Sequence, residues 1–393
     1  MNTSKRENII KKIADSYVEK ELFSGIEWLA EKSGKTILSG KSGYQKFEDK
    51  TPIPNNAIYR IYSMTKPVTA VLALKLIEKG MLRLYDPVSA FIPSFENLKV
   101  LRLDGTTENI SRPMNIEDLL THRSGLTYDF LLGCHVAPLY SAQDISDDGS
   151  KNLEEKCESL SQLPLAYQPG ERFNYSVSLD VLARIIEIVS GKDFHKILEE
   201  EIFEPLGMKD TGFGVREENT SRLMSTYGAS NFKEIMNARP HELIETNVDD
   251  HNPHNKGDSF QRGGTGLFST TQDYLSFARM LLTGKSQTGE IILSRNMINF
   301  MRINRIPKAQ LPLMLGPLPL VGYGWNLAGR IVLDRGKLMS LTGENEFGWA
   351  GAASTYFWVD PDEDLVGLIM TQYLGSIWPI NDDLRVAMYQ AVE

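Results

Sequence analysis

Short runs of alternating apolar and polar residues crowd the two ends of this chain and nearly vanish from its middle, so any sheet draws its strands from segments far apart in sequence. Residues 26–30 and 36–39 read as a hairpin around residues 31–35, which include Ser33-Gly34. A third run, 57–62, feeds directly into 63–79, where apolar residues recur at helical spacing, Pro67 falls in the first turn and Gly80 closes the pattern. From about 85 to 255 the texture is one of helices and long loops, with helices expected at 115–121, 179–190 and 194–202. From about 264 strand signals return, with a helix at 271–282, strands at 322–327, 354–359 and 365–371, and a last helix at 381–392. The order predicts a sheet layered with helices: residues 1–84 and 264–393 form the sheet domain, and 85–263 an inserted, mostly helical domain.

At 393 residues a sizeable core is expected. The 51 acidic residues outnumber 42 basic ones, and the net charge of −9 repels phosphate backbones and anionic membranes. No basic run with interleaved aromatics offsets it, which argues against a nucleic-acid partner. The first 22 residues alternate charged with apolar residues at helical spacing and read as an amphipathic surface helix. The most apolar stretch, 68–77, contains Lys75 and falls well short of the roughly 18 residues that span a bilayer. A cytoplasmic protein is expected, with Cys134 and Cys157 as free thiols.

Chemistry is concentrated at Ser63-Met64-Thr65-Lys66, a Ser-x-x-Lys at the expected start of a helix. That spacing puts both side chains on one helical face, a turn apart. A lysine packed against apolar walls loses its proton more readily and can act as a base toward the hydroxyl. Ser230-Asn231-Phe232-Lys233 repeats the motif, but only the first copy follows an expected strand and opens a long helix. A second element, residues 168–176, leads through a Pro-Gly turn to Tyr175. A tyrosine beside a cationic lysine is expected to have its phenolate favoured, and so to take the proton from Ser63 and return it to a leaving group.

Other signals have plainer readings. The proline in His251-Asn252-Pro253-His254 argues against a helical metal pair, and residues 283–286 lack the upstream glycine of a phosphate loop. No Gly-x-Ser-x-Gly elbow occurs, which counts against a Ser-His-Asp hydrolase.

Several blocks, in order, resemble the serine hydrolases of the class C β-lactamase and penicillin-binding-protein fold, and most of all the family VIII carboxylesterases. They are Tyr59-Arg60-Ile61-Tyr62-Ser63-Met64-Thr65-Lys66-Pro67, Leu119-Leu120-Thr121-His122-Arg123-Ser124-Gly125-Leu126, the segment from Pro169-Gly170 to Tyr175-Ser176, Pro205-Leu206-Gly207-Met208, and Gly263-Gly264-Thr265-Gly266-Leu267. The resemblance covers nearly the whole chain. It implies an α+β, β-lactamase-like fold with an antiparallel sheet flanked by helices and an inserted, mostly helical domain. It also implies Ser63 as nucleophile, with Lys66 and Tyr175 as its proton-handling pair, and His122 as a structural residue.

The family's Lys-Thr-Gly motif matches Trp349-Ala350-Gly351 here, so that Trp349 and Gly351 border the substrate, and Ala352 and Ser63 supply the oxyanion-hole N–H groups. Val177 stands where the β-lactamases carry the asparagine of Tyr-x-Asn, and Trp349 where they carry a lysine. Both departures favour a neutral acyl substrate. The resemblance therefore implies an esterase acting on a small-molecule ester, without metal or organic cofactor. β-Lactam hydrolysis, D-amino-acid peptide hydrolysis and acyl transfer are alternatives on the same fold, and a non-catalytic binding protein is a third reading. Loops 126–162 and 302–322 carry Phe130, Leu131, Leu313, Met314 and Leu318, which suit an acyl pocket or ordinary packing equally well.

Overall fold

The computed structural model describes residues 3–146, 148–235, 242–256 and 260–392. An N-terminal helix, α1 (Thr3–Glu19), precedes a hairpin of β1 (Gly25–Lys32) and β2 (Lys35–Lys46). Ser33 and Gly34 both take positive φ, 49° and 75°, the geometry that lets a two-residue loop follow the twist of its strands. Then come β3 (Thr51–Pro52), β4 (Ile58–Arg60) and α2 (Thr65–Glu78).

The middle of the chain holds short helices, among them α3 (Leu153–Ser161) and α4 (Ser178–Ser190). Asn152 and Glu155 form a reciprocal capping box at the start of α3, and Gly191, at φ 67°, ends α4. The helix expected over 194–202 is broken: an α-helix at Phe194–Leu198 passes into a π-turn at Glu199–Phe203. The C-terminal part contains β5 (Phe268–Thr270), α5 (Thr271–Thr283), β6 (Tyr323–Trp325), β7 (Arg330–Val332), β8 (Phe347–Ala350), β9 (Tyr356–Asp360), β10 (Leu365–Met370) and α6 (Ile380–Tyr389).

Eight strands form one antiparallel sheet in the order β6-β7-β8-β9-β10-β1-β2-β3, and β1 closes it by pairing with β10, Glu27 opposite Met370. This is the expected α+β, β-lactamase-like architecture. Every residue of β9 and β10 is buried, because both faces of the sheet are covered. Side chains alternate between two cores: Tyr356, Trp358, Leu365 and Ile369 pack with Ile10 and Ala14 of α1 and Leu384 and Met388 of α6. Phe357, Val359, Val366 and Leu368 pack on the other side with Tyr274, Phe277 and Leu281 of α5. That second core continues through α2 to Val181, Leu182 and Ile185 of α4.

Off the main sheet, β4 pairs with β5, Tyr59 opposite Ser269. The chain then makes a 3-10 turn, Tyr62–Met64, before α2 begins. Ser63 therefore lies in the turn ahead of the helix in which Lys66 sits, rather than at the helix's first position as expected. Among the described residues, no helix is long and apolar enough to cross a membrane. Cys134 and Cys157 are free and buried.

Candidate active site

The turn that carries Ser63 is clamped from both sides. Gln372 accepts the Arg60 N–H (3.1 Å) and donates to the Arg60 carbonyl (3.0 Å). The Arg60 guanidinium pairs with Asp249 at 2.8 Å, the Ile61 N–H reaches the Leu267 carbonyl, and the Tyr274 hydroxyl donates to the Met64 carbonyl at 2.8 Å. Tyr62, fully buried, is held at φ 44°, a conformation that persists only where the surroundings over-determine it. Immediately beyond this strained residue Ser63 presents its hydroxyl to Lys66.

Lys66 Nζ lies 3.0 Å from Ser63 Oγ, donates to the Gly264 carbonyl at 2.7 Å, and stands 4.7 Å from the centroid of the Tyr175 ring. The residue is only 3% exposed. Burial moves its pKa from 10.5 down to about 7, with Asp180 opposing the shift and Lys156 adding to it. A large share of Lys66 is therefore neutral near physiological pH, with a lone pair available to the serine proton.

Tyr175 Oη accepts the indole N–H of Trp349 at 2.9 Å, and Ser63 stands close enough to favour the Tyr175 phenolate. Burial drives its hydroxyl far above the ordinary range, outweighing the stabilisation that a phenolate gains from nearby Ser63 and from the Trp349 hydrogen bond. Burial thus works against the expected phenolate: enclosure among rings disfavours the charged form of the Tyr175 phenol, as it does that of Lys66. Of this pair, Lys66 is the group whose proton burial loosens and Tyr175 the one whose proton burial retains.

The other side of the site comes from β8 and the turn after it. Trp349 is 7% exposed and packs edge-on against Trp325, with centroids 4.6 Å apart. The Gly351 N–H donates to the Thr355 carbonyl (2.8 Å), and the Ala352 carbonyl accepts from the Gly375 N–H (3.2 Å), fixing the turn in which Ala352 sits. A Cβ on Gly351 would lie 2.2 Å from Thr355 Oγ1 and 2.5 Å from the carbonyl of Ile61. Glycine is what lets this turn approach the backbone two residues ahead of Ser63. Hydrogen bonds thus join Lys66 to Ser63 and Trp349 to Tyr175, Lys66 Nζ lies over the Tyr175 ring, and Gly351 and Ala352 are held against the same turn.

His122 is buried at φ 53°; its Nδ1 accepts the Ser176 N–H at 3.3 Å, and its ring packs 4.7 Å from that of Tyr175. The second Ser-x-x-Lys does not form a pair, since Ser230 donates to Glu234 and Lys233 to Asp144. His251 packs on Phe232, with ring centroids 4.7 Å apart, while His254 pairs with Asp249 at 2.8 Å. Val177, in the position that departs from Tyr-x-Asn, is buried in the main core.

Sequence reasoning missed several groups. The Trp349 to Tyr175 hydrogen bond joins residues 174 positions apart and has no local signal. Tyr128, two residues past the 119–126 block, is 2% exposed with its hydroxyl unpartnered, and stacks on Phe130 at 4.7 Å. Phe130 in turn stacks on Phe232 at 5.5 Å, so an aromatic row leads away from Tyr175. Leu131 and Met314, one from each of the two loops singled out by their apolar residues, line a cavity of about 500 Å³ that also borders Phe173 and Asn174. Loop 302–322 contains its own small hairpin, Leu313–Leu315 with Leu318–Leu320.

A family model described as Beta-lactamase matches residues 10–391. Protein Rv1367c of Mycobacterium tuberculosis is 32% identical over 387 residues, covering 96% of this chain and 92% of its own. Lovastatin esterase of Penicillium rubens is 27% identical over 377 residues, covering 91% and 87% of the two chains. Among solved structures, EstCE1, described as a hydrolase with promiscuous acyltransferase activity, superposes with a TM-score of 0.82 at 23% identity over 98% of both chains.

Proposed function

Because the chain belongs to the Beta-lactamase family, we propose that it is a serine esterase hydrolysing small carboxylic esters through an acyl-enzyme on Ser63. The observation that carries this reading is the 3.0 Å contact between Ser63 Oγ and a lysine that burial brings to about 7. Neutral Lys66 takes the Ser63 proton as the oxygen attacks the ester carbonyl. The resulting oxyanion is assigned to the N–H groups of Ser63 and Ala352, a reading supported by the close approach of Gly351 to the Ile61 carbonyl. Each such donor is worth on the order of 3–4 kcal/mol in the transition state.

Tyr175, a neutral phenol steadied by Trp349, passes its proton to the departing alcohol and is reprotonated from Lys66. Water then attacks the acyl-enzyme by the same route in reverse. Trp349 and Val177 leave no cation and no side-chain amide at the two positions where β-lactamases have them, which favours a neutral ester over a β-lactam or peptide.

Acyl transfer to an alcohol is the second reading, favoured by the likeness to EstCE1, described as a hydrolase with promiscuous acyltransferase activity.

The test is p-nitrophenyl acetate turnover by the wild type and Ser63→Ala, together with labelling by a fluorophosphonate and mass mapping of the adduct. Saturable turnover that disappears with Ser63, and an adduct on the peptide containing it, are expected. Equal turnover by both proteins removes Ser63 as the nucleophile.

A further inference from the structure

Behind Lys66 lies a second buried lysine that the esterase chemistry does not use. Lys156 of α3 is 4% exposed and pairs at 2.8 Å with Asp180 of α4, itself 1% exposed. The other oxygen of Asp180 accepts the Gly264 N–H at 2.8 Å, and the carbonyl of that same Gly264 accepts from Lys66 at 2.7 Å. A Cβ on Gly264 would lie 3.3 Å from Asp180 Oδ1, 3.4 Å from Lys66 Nζ and 3.1 Å from the Tyr128 hydroxyl, so the carboxylate and the lysine are within about 7 Å of each other, with this glycine and the Tyr128 hydroxyl beside the gap.

Two buried lysines thus lie near one carboxylate, and Lys156 holds the direct contact. Asp180 has its two oxygens committed, one to Lys156 and one to a peptide N–H, and none reaches Lys66. A buried ion pair is a poor device for stability alone, since apolar side chains of similar size commonly do as well. Its place beside a catalytic base gives it a different use.

Resting on the esterase reading, we propose that Lys156 and Asp180 are positioning residues for Lys66: Lys156 claims the carboxylate, leaving Lys66 unpaired and able to accept the serine proton. The remaining charged and titratable groups nearby are accounted for. His122 is neutral and buried, Tyr128, Tyr175 and Cys157 keep their protons, the Arg262 charge also acts on Asp180, and Asp129 acts on Lys156. None of them offers Lys66 a carboxylate contact at hydrogen-bond distance.

Opposite substitutions then have opposite effects. Lys156→Met leaves the Asp180 carboxylate to act on Lys66 without its closest competitor, so Lys66 keeps its proton to higher pH. Asp180→Asn retains an oxygen for the Gly264 N–H but leaves Lys156 as an unbalanced cation, so Lys66 loses its proton at lower pH. The acid limb of kcat/KM for a p-nitrophenyl ester is expected to move up by about one pH unit in the first variant and down in the second. The double variant should lie between them, and Lys156→Arg should return the limb toward the wild type.

The same titration is read without turnover from the side-chain nitrogen resonance of Lys66 in 15N-lysine protein carrying Ser63→Ala, assigned by its loss in Lys66→Met. Shifts of opposite sign support the proposal, even if no ester is hydrolysed and the esterase reading fails. Shifts of the same sign, or none, in the folded variants overturn it. If Lys156→Met does not fold, the double variant, which removes both charges, against Asp180→Asn decides in the same way: equal midpoints overturn the proposal.

Discussion

Replacing Lys66 with methionine should abolish activity and make the protein more stable. The folded state holds this lysine at a pKa of about 7 rather than 10.5, so folding at neutral pH must expel a proton the unfolded chain keeps. Each tenfold change in proton affinity is worth about 1.4 kcal/mol, which sets the cost at about 4–5 kcal/mol at pH 7. Methionine fills a similar volume without that cost, but it leaves the Gly264 carbonyl and the Ser63 hydroxyl without the hydrogen bonds that Lys66 gives them. An unpartnered buried acceptor takes back about 1–3 kcal/mol, so a net gain of roughly 2 kcal/mol is expected.

The pH dependence gives the sharper test. Between about pH 7 and 10.5 the unfolded chain binds more protons than the folded one, so wild-type stability rises with pH across this window. The advantage of Lys66→Met is therefore greatest at pH 7 and below, is used up between about pH 8 and 9, and by about 10.5 has given way to a deficit of about 1–3 kcal/mol from the lost hydrogen bonds. Urea unfolding of both proteins at pH 7, 9 and 10.5 measures this directly. A Lys66→Met protein less stable than the wild type by the same amount at every pH would refute the argument that burial has displaced the lysine proton.

Further outcomes follow from the same geometry. Ester hydrolysis should rise with pH through a midpoint near 7, where Lys66 becomes neutral, with no decline from Tyr175 at moderately alkaline pH; an acid limb centred near 5 would point to a carboxylate base instead. Trp349→Phe keeps a ring against Trp325 but removes the donor to Tyr175 Oη, and should lower kcat about tenfold, roughly 1.4 kcal/mol, with little change in KM. Gly351→Ala drives a methyl into the Ile61 carbonyl and moves the turn bearing Ala352 away from Ser63, for a loss on the order of 100-fold or more in kcat; near-wild-type kcat would show that this turn supplies no oxyanion donor.

What the sequence revealed followed the range of each interaction. The hairpin around Ser33-Gly34, α4 and α5 were legible because turn residues and helical periodicity act within a few positions. Ser63 and Lys66 were legible because three residues separate them. The break after Leu198 was not, because apolar spacing continues through the π-turn and only tertiary packing selects it. For Tyr175, charge proximity suggests a phenolate, whereas burial acts the other way, and burial is a property of the folded whole that the sequence does not display. The roles of Trp349 toward Tyr175 and of Asp180 toward Gly264 depend on contacts across 174 and 84 positions, which one sequence does not display.

The closure of the sheet by β1 against β10 has a consequence for the chain during its synthesis. Glu27 waits for Met370, and Ser63 for the turn at Gly351, so the hairpin at the start of the chain remains without its inner partner until more than 300 further residues exist. At ordinary elongation rates that interval is on the order of tens of seconds. During it the apolar edge of β1 is open to other chains, which makes nascent-chain protection a requirement of this topology. The same delay keeps the nucleophile apart from its oxyanion donor, so a chain stalled on the ribosome carries Ser63 and Lys66 without a complete site.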